Sequence, residues 1–125
     1  KEKLNLGLVL IVDDEENLRF ILERMLAILG YNSISAENGL EGVNIFKERY
    51  DEIDAVILDM VMPIMDGKEA FLQMKLIDPN VKVIVSSGYD IDKYSQIMDF
   101  GVSALLDKPY SIDLLSKTIE KLLSR

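Results

Sequence analysis

The apolar positions of this chain fall into two alternating patterns. Short, mainly apolar segments predict strands over 8–12, 32–36, 55–58, 81–85 and 103–106, the first rich in β-branched residues and the second weaker than the rest. Between them, apolar residues recur at helical spacing. Leu18, Ile21, Leu22, Met25, Leu26 and Leu29 mark the inner face of a first helix, which Gly30 closes. Asn38 caps a second, with Glu41 three residues on and Leu40, Val43 and Phe46 inward. Asp66 caps a third, with Glu69 three residues later, Ala70, Met74 and Ile77 inward, and Pro79 beyond its end. Residues 92–100 predict a short fourth helix ended by Gly101. Ser111 caps a fifth, carrying Ile112, Leu115, Ile119 and Leu122 on its inner face.

Strands alternating with helices through short links give a parallel sheet with right-handed crossovers. Five of each suit an α/β, flavodoxin-like doubly wound sheet, with three helices on one face and two on the other. No repeat, low-complexity segment or internal linker interrupts the 125 residues, so one domain is expected over 1–125.

In a parallel sheet the carboxyl ends of all strands share one edge, where open α/β sheets bind ligands. Strand 3 is continuously apolar, as a strand covered on both faces should be, and it ends on Asp59. Strand 1 brings Asp13 and Asp14 to the same edge, strand 4 brings Ser87 and strand 5 brings Lys108. Each alone has an ordinary role. An Asp pair before a helix caps it and complements its dipole, Ser before Gly is a turn residue, and a Lys beside Pro is solvated. Together they are harder to explain that way. Three carboxylates in one place repel unless a cation or a proton sits among them.

The absence of Cys and His narrows the chemistry. Thiol nucleophiles, Ser-His-Asp triads, haem attachment and the usual zinc sites are excluded. Hard carboxylate oxygens suit Mg²⁺. A carboxylate beside such an ion and a Lys can attack phosphorus and become an aspartyl phosphate. It needs no base, because it carries no proton when ionised.

Composition adds bounds. A hydrophobic content of 49% suits a globular core, and no apolar run is long enough to cross a bilayer. No signal-peptide pattern opens the chain, so a cytoplasmic location is expected. Position 1 is Lys, which suggests a segment of a longer protein. The net charge of −8 argues against direct binding of nucleic acid.

These residues resemble the receiver domain of bacterial two-component response regulators, over about residues 8–123. The resemblance rests on the acidic pair after strand 1, the stretch Leu58-Asp59-Met60-Val61-Met62-Pro63-Ile64-Met65-Asp66-Gly67, Ser87 followed by Gly88, and Lys108-Pro109. It implies the strand order 2-1-3-4-5 and Asp59 as phosphoacceptor. It implies Mg²⁺ held by Asp14, Asp59 and the backbone carbonyl of Val61, with Asp13 acting through metal-bound water. Lys108 would contact the phosphoryl group, Ser87 would be the switch hydroxyl, and the Lys108–Pro109 peptide would be cis. The donor would be a histidine kinase or a histidine phosphotransfer protein, and the chain would be a signalling domain that controls an output domain or partner rather than an enzyme. Two departures stand out. Leu105 occupies the position where the family often has an aromatic switch residue, which leaves Tyr94 and Tyr110 as candidates on the output face. Val61 and Tyr89, flanking the acceptor, supply no group to position an attacking water, so slow spontaneous dephosphorylation is expected.

Two other readings compete. An aspartate-nucleophile phosphatase would place a second Asp two residues after the nucleophile, where this chain has Val61. A flavin carrier would need a Ser-, Thr- or Gly-rich phosphate loop after strand 1, where this chain has Asp13-Asp14-Glu15-Glu16.

Overall fold

The computed structural model describes residues 5–87 and 101–124. Five parallel strands form one sheet in the order β2-β1-β3-β4-β5. They are β1 (Leu8–Val12), β2 (Asn32–Ala36), β3 (Ala55–Asp59), β4 (Val83–Ser87) and β5 (Ala104–Asp107). The described helices are α1 (Glu16–Leu29), α2 (Gly39–Arg49), α3 (Gly67–Ile77) and α4 (Ile112–Leu123). The helix expected over 92–100 lies outside the described residues, as does Tyr94.

The pleat sends alternate residues of each central strand to opposite faces. Leu10, Val12, Val56, Leu58, Val83 and Val85 meet Val43 and Phe46 of α2 and Ala70, Phe71 and Met74 of α3. Val9, Ile11, Ile57 and Ile84 meet Leu22 and Leu26 of α1 and Leu115 and Ile119 of α4. All five residues of β3 are buried, so this strand is the centre of both layers.

The local signals act as expected. Gly30 ends α1 at φ 97°, a left-handed conformation that costs glycine little. The side chains of Asn38, Asp66 and Ser111 accept hydrogen bonds from the backbone N–H of Glu41, Glu69 and Leu114.

Several boundaries and faces differ. β4 runs two residues later than its apolar run, because its register against β3 pairs Val56 with Val83 and Asp59 with Ser86. β5 likewise includes Asp107, paired with Ser87. Ile21 and Leu40 are exposed rather than inward. Phe71 takes the buried position on α3 that the spacing left unassigned.

Candidate functional site

Asp59 is the last residue of β3 and only 5% exposed. The parallel register places Val12, the end of β1, beside Leu58, so Asp13 leaves the sheet next to Asp59. Asp13 is as buried as the core, while Asp14 is exposed. Even so, one carboxylate oxygen from each of Asp13, Asp14 and Asp59 lies within 4.8 Å of the other two. Lys108 follows β5 and reaches back across the edge. Its Nζ lies 3.4 Å from Asp59 Oδ1 and 3.6 Å from Asp13 Oδ2. The Lys108–Pro109 peptide is cis.

The acidic pair does not cap α1. Glu15 is the N-cap residue and makes no side-chain capping bond. Instead Asp13 is fixed from three sides. Its N–H donates to Ala36 O at 3.1 Å, its Oδ1 accepts from Glu15 N–H at 2.9 Å, and its carbonyl accepts from Arg19 Nη1 at 2.8 Å. These bonds leave Oδ2 aimed into the site, buried and without a hydrogen-bond partner. The Lys108 ammonium is near enough to attract it but too far for a hydrogen bond.

The electrostatics follow from this crowding. Burial raises the Asp59 carboxyl from its ordinary 3.8 to about 6, and the neighbouring Asp13 charge adds to the rise, against Lys108 and the Val61 N–H. Burial likewise raises Asp13, opposed by the Glu15 N–H and Lys108. Burial works against the charge of Lys108, but attraction to Asp59 and then Asp13 outweighs it and holds the ammonium above its ordinary value. Two buried carboxylates with one shared ammonium are thus short of positive charge. A divalent ion among oxygen ligands fits that deficit and gives the orphaned Asp13 Oδ2 a partner. Asp13, Asp14 and Asp59 could hold it.

Of the residues singled out in the sequence, Asp13, Asp14, Asp59 and Lys108 converge. Ser87 ends β4 at the same edge. Val61 is exposed in the loop after β3, where its N–H donates to Asp59 Oδ1 at 3.4 Å. Leu105 is partly exposed on β5. Tyr110 turns inward, its hydroxyl donating to the buried Ser86 Oγ at 2.9 Å. Arg19 and Ser86 were not singled out. Arg19 sits a turn inside α1, where its side chain can fold back over the preceding loop, a placement that could have found it. Nothing local marks Ser86.

Comparisons with known proteins assign this sheet and its acidic edge to a class of signalling domain. The family model of the response regulator receiver domain matches residues 9–120. The chain belongs to that family. The sporulation initiation phosphotransferase F of Bacillus subtilis is 37% identical over 117 residues, 92% of either chain. The sensor kinase CckA of Brucella abortus is 33% identical over 118 residues, which are 94% of this chain but only 12% of that protein. A receiver domain protein from Clostridium thermocellum superposes with a TM-score of 0.92 at 33% identity, covering 96% of both chains. A chain of the CheX-CheY-BeF3-Mg+2 complex from Borrelia burgdorferi superposes with a TM-score of 0.91 at 27% identity, covering 98% of this chain and 97% of that one. The protein is therefore a receiver domain homologous to phosphorelay response regulators and to the receivers of hybrid kinases.

Proposed function

We propose that Asp59 accepts a phosphoryl group from a phosphohistidine of a histidine kinase or histidine phosphotransfer protein. The observation that carries this reading is a buried strand-end carboxylate facing one ammonium and two further carboxylates. An oxygen of ionised Asp59 attacks phosphorus. The O–P bond forms as the P–N bond breaks, and the electron pair of that bond leaves on the imidazole nitrogen. Mg²⁺ bound by Asp13, Asp14 and Asp59, with the Val61 carbonyl, would offset charge on the transferring oxygens. Lys108, with Nζ 3.4 Å from Asp59 Oδ1, would supply the remaining positive charge. The acyl phosphate then draws on contacts from Lys108 and Ser87 that exist only while the phosphoryl group is present, which is what shifting a two-state population requires.

The chain acts once per phosphoryl group received, as a switch for an output domain or partner protein, and not as a turnover phosphatase. No described helix is long and apolar enough to cross a membrane. A membrane-free location and the lack of a nucleic-acid surface of its own belong to the same proposal.

Incubation with acetyl phosphate and Mg²⁺, read by intact mass, tests the assignment. One phosphoryl group should add to the wild type, and none to Asp59→Asn or to wild type in EDTA. Uptake by Asp59→Asn would refute the acceptor. Sustained multiple turnover on phosphate esters would refute the switch reading in favour of an enzyme.

A further inference from the structure

Between the last ladder pair of β5, Ser87 with Asp107, and the N-cap Ser111 of α4 stand three residues, Lys108, Pro109 and Tyr110. This short link must hold the Lys108 backbone so that a long, rotatable side chain delivers its ammonium between two carboxylates. The ladder secures its start. The Tyr110 hydroxyl secures its end by donating to Ser86 Oγ at 2.9 Å, on a neighbouring strand. Ser86 is 1% exposed, and its Cα is the direct partner of Asp59 across β3 and β4. Its carbonyl also accepts from Met60 N–H at 3.3 Å, so Ser86 is tied to the residue that follows Asp59. The Tyr110 ring packs with the core between the sheet, α1 and α4, which fixes where the hydroxyl can reach.

We infer that Tyr110 and Ser86 form a clasp that positions Lys108 for the phosphoryl group, making Tyr110 a positioning residue of the site. The inference rests on the function proposed above. The bond joins Tyr110 to Ser86, whereas the carboxylates that would hold metal belong to Asp13, Asp14 and Asp59. It therefore predicts a specific split. Breaking the clasp slows phosphoryl uptake and leaves metal affinity alone.

The test compares Tyr110→Phe, Ser86→Ala, the double variant and Lys108→Ala in the full chain. Tyr110→Phe keeps the ring and its packing, so folding is retained, and thermal melts verify it. Phosphorylation rates with acetyl phosphate should fall about threefold to tenfold in each single variant, the range one ordinary hydrogen bond supplies. The double variant should be no slower than the slower single, because both singles already break the Tyr110–Ser86 bond. Mg²⁺ dissociation constants, read by NMR titration, should stay within about twofold of wild type, and beryllofluoride should bind more weakly. Unchanged rates in Tyr110→Phe, while Lys108→Ala is slow, would overturn the clasp. So would a loss of Mg²⁺ affinity parallel to the loss of rate, because the bond would then support the whole site and not Lys108. Uptake that persists in Asp59→Asn would instead overturn the proposed function.

Discussion

Removing the charge of Asp59 should make the metal-free protein more stable at neutral pH. The folded state raises this carboxyl from 3.8 to about 6, with the help of Lys108 already counted. That gap corresponds to about 3 kcal/mol against the ionised form. The folded protein holds the proton up to about pH 6, whereas the unfolded chain releases it near 4. The contribution of this group to stability is therefore fullest below pH 4, is lost as pH rises through about 6, and stays lost above it. Asp59→Asn is neutral at every pH and escapes this loss. The variant also deprives Lys108 of a partner, so the net gain at pH 8 without metal should be about 1–3 kcal/mol, a rise in Tm of about 4–10 °C for a domain of this size. At pH 4 the difference should shrink to under about 1 kcal/mol. Mg²⁺ at ten times its Kd should return about 1.4 kcal/mol to the wild type and much less to the variant. Melts at pH 4 and 8, in EDTA and in Mg²⁺, measure all four quantities. A variant less stable than wild type in EDTA at pH 8, or a gap that ignores pH, would refute the account of a strained acidic site.

Three further outcomes follow from particular contacts. Gly67→Ala would bring a Cβ to 2.3 Å from Asp59 O and 2.8 Å from Met60 Cα. Backbone cannot yield there, so urea unfolding should show a loss of about 1–3 kcal/mol or more, together with impaired phosphorylation. Ile64 sits at φ 70°, a left-handed conformation that is costly for a β-branched residue, and is 76% exposed. Ile64→Asn should raise stability by about 1 kcal/mol in the same assay, and a loss would contradict the strain argument. Lys108→Met should move Asp59 titration above pH 6, because the ammonium lowers that carboxyl. Carboxyl NMR of the metal-free protein would show it, and an unmoved or lower midpoint would count against the 3.4 Å ion pair.

The legible parts of this protein are those governed by near neighbours along the chain. Periodicity separated strands from helices, and the caps Asn38, Asp66 and Ser111 marked where three helices start, because capping joins residues only three apart. The acidic triad with Lys108 was legible for a related reason. Parallel strands must end on one edge, so polar residues at their carboxyl ends meet whatever the packing details.

Tertiary structure decided what depends on separate segments meeting. Pairing with β3 set where β4 starts, overriding the apolar run that begins at Val81. The helices' angular seating on the sheet left Ile21 and Leu40 in solvent, although both fit an apolar stripe, and buried Phe71, which the stripe of Ala70, Met74 and Ile77 did not include. Arg19 holding the Asp13 carbonyl and Tyr110 reaching Ser86 are likewise matters of distance across the fold. A residue's type and spacing state what it can bond. Only the packed chain states which partner is within 3 Å.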